Sequence, residues 1–121
     1  MSSSPLDRCG QLLMQEARDL AVDHWNRVLT GQMRDQESQK LFALLDQKTR
    51  EIVQELVPKI VDTCMHYSLC LFDSEKELRL ALRNEAGELT DVAALSDGLP
   101  GELYTEEGWI HRFATGTLHG D

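Results

Sequence analysis

Residues 77–95 read ELRLALRNEAGELTDVAAL, and whether they form strands or a helix decides the fold class. Leu78, Leu80 and Leu82 alternate with Arg79, Ala81 and Arg83, the two-residue period of a half-buried strand. The NEAG that follows has the form of a type I turn closing on a glycine with positive φ. A β-hairpin is therefore expected, with strands 78–83 and 88–94 joined by Asn84–Gly87. A helix over 75–84 is the competing reading, because Ser74 and Glu77 have the spacing of a capping box ahead of good helix formers.

Toward the C-terminus, residues 101–114, GELYTEEGWIHRFA, repeat the design. A second hairpin is expected there. Its first run ends at Tyr104, its TEEG turn places Gly108 in a left-handed position, and its last run alternates Trp109, His111 and Phe113 with Ile110, Arg112 and Ala114. Alternation lets only one of those sets face the core. The link SDGLPG, residues 96–101, reverses the chain between the hairpins, and the polar tail over 116–121 is expected to fray.

Toward the N-terminus the period changes. Leu6, Cys9, Leu13, Ala17, Leu20 and Ala21, continued by His24, Trp25 and Val28, recur at steps of three and four, the signature of an amphipathic helix. Ser4 before Pro5 suits an N-cap and first helical position, and Gly31 supplies a stop, so a helix is expected over about 5–30. Trp25 on that stripe reads as a core anchor, with an interface as the alternative. After the polar link GQMRDQES, residues 31–38, a second stripe runs Leu41, Leu45, Ile52, Leu56, Ile60 and Cys64, widened by Val53, Val57, Val61 and Met65. One long helix over 37–71 is expected, kinked near Pro58 by the missing N–H and the ring clash.

A short polar link forces two such helices antiparallel, so that they bury each other's apolar faces. The expected architecture is α+β within a single domain of residues 1–121. An antiparallel helical hairpin packs with a small antiparallel sheet of two hairpins in a β-rich part spanning about 76–115.

Apolar residues at 41% and charged residues at 27% place the chain among globular proteins rather than disordered ones. Up to Val61 there are eight Lys or Arg against nine Asp or Glu; from Asp62 onward there are four against twelve. The acidity of the second half repels nucleic acid and anionic membrane surfaces and favours a basic protein partner. No run approaches the roughly 18 apolar residues of a bilayer span, and Met1–Pro5 lacks a basic region followed by an apolar one. With three cysteines lying in helical segments, reduced thiols in a cytoplasmic compartment are expected.

Chemistry-bearing motifs are sparse. CMHYSLC, residues 64–70, sets Cys64 away from the helix face shared by His66 and Cys70, so no metal site is expected; Cys64 reads as core and the other two as partly buried. His111 beside Glu102, Glu106 or Glu107 could serve acid–base chemistry. There is no G-x-S-x-G, no G-x-G-x-x-G and no Walker lysine, and no cofactor is expected.

The segment holding Glu102, Tyr104, Glu106, Glu107, Trp109, His111 and Arg112 joins aromatic anchors to a charged rim, as interfaces do. The reading from sequence is a small acidic non-catalytic binding protein, of inhibitor or immunity type, acting on a basic protein partner. The alternatives are an enzyme or ligand-binding domain built on His111, and a self-associating protein that forms a homodimer through its helix faces.

Overall fold

The computed structural model describes residues 4–115. Ser4 caps the first helix, its Oγ accepting from the Asp7 backbone N–H at 3.1 Å, and Pro5 follows in the first turn, where a missing N–H costs nothing. Helix α1 (Pro5–Leu13) passes through a π-helical turn (Met14–Arg18) into α2 (Asp19–Leu29). The rod stops where expected. Gly31 has φ +76° and donates to Val28 O while Gln32 donates to Arg27 O, the pair of bonds that makes a Schellman ending.

The π turn was not expected, and it changes what faces inward. Its wide step, Asp19 N–H to Met14 O, advances the apolar phase by one residue. The stripe that begins Leu6, Cys9, Leu13 therefore continues at Arg18, Val22 and Leu29 instead of Ala17, Leu20 and His24. Leu20 and Trp25 are left 57% and 44% exposed, so Trp25 is not the core anchor its position suggested.

The single helix expected over 37–71 is two helices. Leu45 is extended, and Asp46 starts a new helix by accepting from the Thr49 N–H at 2.8 Å. A strong N-cap breaks the apolar run that periodicity alone would carry straight through. The result is α3 (Gln36–Leu44) and a 28-residue α4 (Gln47–Ser74), which continues through Pro58 as one element.

Helix α4 lies antiparallel to the α1–α2 rod, as the expected hairpin requires. Cys9 and Met14 share a cluster with Leu69, Arg18 meets Asp62, and Val22 and Leu29 pack with Val57. The cluster of Val22, Leu29 and Val57 is supported by Leu45, Val53 and Val61. The larger one joins Cys9, Met14 and Leu69 to Val92, Leu99, Leu103, Trp109 and Ala114 from the C-terminal part.

The strand reading of 77–95 holds in a shorter form. Ser74 does not cap a following helix; its Oγ donates back to Cys70 O at 2.8 Å. Strands β1 (Ala81–Arg83) and β2 (Leu89–Asp91) pair antiparallel, with Leu82 opposite Thr90, around a turn in which Gly87 has φ +84°. Residues 92–94 are not strand: Val92–Leu95 is a 3₁₀ turn.

The second hairpin does not form. Leu99–Leu103 is a 3₁₀ turn and α5 (Trp109–Phe113) is a short helix. Trp109, Ile110, Phe113 and Ala114 turn inward while His111 and Arg112 turn out, which is helical spacing rather than either alternating set. Gly108 has φ −76°, and the left-handed residue is Thr105 at φ +73°. Glycine is needed at 108 for space, since a Cβ there would lie 2.0 Å from Tyr104 O. Gly10 has a similar role: a Cβ would fall 2.4 Å from the buried Trp109 indole.

The chain is thus mostly helical with one two-stranded sheet among the described residues, broadly α+β. The expected tail, 116–121, lies outside the described residues.

Candidate functional site

Helix α4 is apolar around more than half of its circumference, more than one packing partner can cover. Its inner side, Val53, Val57, Val61, Met65, Leu69 and Phe72, meets the two clusters. Its outer side is left uncovered among the described residues. Ile52, Leu56, Ile60, Tyr67 and Leu71 are 52%, 46%, 57%, 66% and 46% exposed, and Thr63 and Cys64 between them are exposed too. At about 1.5 Å per residue the stripe from Ile52 to Leu71 runs roughly 28 Å. Leu41 and Leu44 on α3 are also exposed. Most of the stripe read from sequence as core, Leu41, Ile52, Leu56, Ile60 and Cys64, is therefore surface, and the residues read as its widening are core. The visible signal was the width of the apolar arc.

The candidate residues of the C-terminal segment separate. Trp109 is 1% exposed and roofs Gly10, so it anchors the fold and presents nothing outward. Glu102 accepts from Ser96 Oγ at 2.6 Å. Arg112 donates to Asp7 at 3.0 Å, tying α5 to the start of α1, and this guanidinium holds the Asp7 carboxyl below its usual range. Glu106 and Glu107 are exposed on the turn. His111 is exposed and has no hydrogen-bond partner among the described residues; no carboxylate is brought to its ring.

The structure gives Tyr104 a different histidine. Its hydroxyl lies 2.7 Å from His66 Nδ1, joining the loop to the flank of α4 beside Tyr67. Burial raises the Tyr104 phenol above its usual value, and the nearby Asp62 charge raises it further. The phenol therefore stays protonated and acts as a hydrogen-bonding group rather than a base.

A second polar cluster was invisible to periodicity. Arg18, 1% exposed, donates from Nε and Nη2 to the two oxygens of Asp62 at 2.5 and 3.1 Å, and from Nη1 to Asp19 at 3.4 Å. Asp19 also accepts from the backbone N–H and hydroxyl of Thr115. The one guanidinium is shared by two carboxylates, and Asp19 is further satisfied by the neutral donors of Thr115, so the cluster ties the start of α2 to α4 and to the chain just after α5.

Open clefts adjoin this cluster and the start of α1. One of about 440 Å³ is lined by Asp19, Leu20, Asp23, Asn26 and Thr115 among others; another of about 750 Å³ lies between α1 and the β-turn, near Arg8 and Arg83. Neither contains any of the candidate residues Glu102 to Arg112. Among the described residues no group of three or more His, Cys, Asp or Glu side chains is placed to hold a metal ion. The three cysteines are free: Cys9 is buried, which raises its thiol pKa, Cys70 is half-buried, and Cys64 is exposed rather than core. No helix among the described residues is long and apolar enough to cross a membrane. No family model, curated protein or solved structure matches the chain.

Proposed function

We propose that this chain is a single-domain, non-catalytic protein-binding module that works through the outer face of α4. The observation that carries this reading is the line of five large apolar side chains, each about half exposed, along one side of a 28-residue helix. Contiguous apolar surface rimmed by polar groups is what protein interfaces require and what scattered surface residues do not make. A bend at Pro58, where the helix lacks one backbone N–H, would curve this face gently around an occupant. Free thiols at Cys64 and Cys70 fit a reducing, cytoplasmic setting, and no step in such binding calls for a cofactor.

Photo-crosslinking tests the reading. A benzophenone side chain at Ile60 should give protein adducts in cells, and the same group at Glu106 should give far fewer. Adducts at Glu106 with none at Ile60 would move the binding surface to the C-terminal segment.

Inhibition of a basic protein in the immunity style is the second reading. It is supported by the exposed acids Asp73, Glu75, Glu77, Glu85, Glu88, Asp97, Glu106 and Glu107, which would steer such a partner. It has lost Trp109 as an aromatic anchor, since that indole is buried, and keeps only the half-exposed Tyr104. Replacing Glu106 and Glu107 by lysine should abolish capture of a basic partner if those carboxylates steer it; undiminished capture would remove their role.

A further inference from the structure

We infer that the outer face of α4 is occupied by a second copy of this chain, the two α4 helices packing antiparallel about a two-fold axis near residues 61 and 62. The inference rests on the protein-binding reading above and names the occupant of the face.

Spacing supports it first. Ile52, Leu56, Ile60, Thr63, Tyr67 and Leu71 follow steps of 4, 4, 3, 4 and 4. That is the 11-residue pattern, whose stripe stays nearly in line along a helix. The order of steps is also the same read in either direction. An antiparallel copy therefore sets Ile52 against Leu71, Leu56 against Tyr67 and Ile60 against Thr63, with every contact made twice, as a two-fold interface demands. Thr63 can sit at the centre without cost, because its hydroxyl already donates to Lys59 O at 2.8 Å and leaves its methyl for packing.

Charge is the second support. One flank of the stripe carries Lys48, Glu55, Lys59, His66 and Asp73 at helical spacing. A two-fold axis across antiparallel helices brings this flank against the same flank of the second copy with its ends reversed. Exposed Lys48 then meets exposed Asp73 at both ends, and Glu55 meets His66. Each Asp73 also comes to the N-terminal end of the opposite helix, where the macrodipole favours an anion.

Area is the third. The exposed parts of the stripe amount to roughly 600 Å² per chain, or about 1,200 Å² for a pair, the lower edge of the range for specific stable interfaces. An interface of that size suffices for reversible association, with an affinity set by packing and charge complementarity rather than by area.

Sedimentation equilibrium over a concentration series tests this. The expected result is reversible approach to twice the chain mass of 13.7 kDa, with Ile60→Asp weakening association by about 100-fold or more while far-UV circular dichroism stays unchanged. Lys48→Glu should weaken it several-fold, and Lys48→Glu with Asp73→Lys should recover most of that loss. In a Cys64→Ser, Cys70→Ser background, mixed Ile52→Cys and Leu71→Cys chains should oxidise to a cross-linked pair. A wild-type chain that stays monomeric at 200 µM overturns the inference, as does a dimer that survives Ile60→Asp. A dimer in which Ile52→Cys chains cross-link only to each other overturns the antiparallel arrangement. If the chain is monomeric and photo-adducts at Ile60 still form with another protein, the inference fails and the binding reading stands; absence of both removes the two together.

Discussion

The inner and outer faces of α4 are built from the same kinds of side chain and do different work. Inside, Val57 and Leu69 are 6% and 1% exposed and join α4 to the α1–α2 rod. Outside, Ile52, Leu56 and Ile60 remain about half in water. Hydrophobic burial is non-directional, so apolar character alone does not select which face of such a helix becomes core. The selection is made by polar groups with fixed demands. Arg18 is brought inward by the π turn and must meet Asp62, and that pairing fixes the rotation of α4. Val57, Val61 and Met65 then turn in, and the stripe of Ile60, Thr63 and Tyr67 turns out.

The largest break in this comparison should come from the rotational lock itself. Asp62→Ala leaves the Arg18 guanidinium buried without its main partner, a loss of about 3–5 kcal/mol, seen as a large fall in the urea midpoint followed by circular dichroism. Leu69→Ala on the inner face should cost about 2–5 kcal/mol through lost burial and a cavity. If Leu69→Ala were no more damaging than a surface change, the two faces would not differ in the way described.

Tyr104→Phe removes the hydrogen bond to His66 on the border between the faces, and its effect on the urea midpoint should correspond to under about 1 kcal/mol. Leu56→Ala on the outer face should change monomer stability by no more than about 0.5 kcal/mol while still weakening association.

The smallest effect concerns the start of α4. The Asp46 carboxyl is held below its usual value by its hydrogen bonds to Thr49. A carboxyl whose pKa is lower in the folded state contributes stability above the unfolded value and loses it as pH falls through the folded one. Acidification below the usual carboxylate range should therefore fray the first turn of α4. Asp46→Asn, which also caps but does not titrate, should lack that part of the far-UV change; an identical acid response in the two proteins would remove Asp46 from the account.

Several elements were legible because their causes are local. Ser4 and Pro5 begin α1, Gly31 ends α2, and Asn84–Gly87 closes a hairpin. Each depends on neighbours within about five residues. The break at Asp46 was equally local and lay in the pattern Asp46 to Thr49, masked by an apolar run that suggested continuity. The C-terminal segment was misread for another reason. Trp109 to Ala114 fit a strand's alternation and a helix's spacing comparably over so short a run, and the contact of the Trp109 indole with Gly10, about a hundred residues earlier, goes with the helix. The neighbours of the candidate residues differ with it. Tyr104 reaches His66 rather than His111, and the exposed face formed on the helix taken to be core.

Capping, turn geometry and periodicity act over a few residues, which is why antiparallel helices in the N-terminal half and a glycine-closed hairpin after them could be read from local pattern, though not the break between α3 and α4. Which side of α4 is buried, the place of Trp109 as a core roof, and the open face from Ile52 to Leu71 come from long-range packing. Those outcomes depend on a one-residue phase shift at Met14–Arg18 and on the distant pairing of Arg18 with Asp62, and an apolar pattern alone cannot choose between two faces that are equally able to leave water.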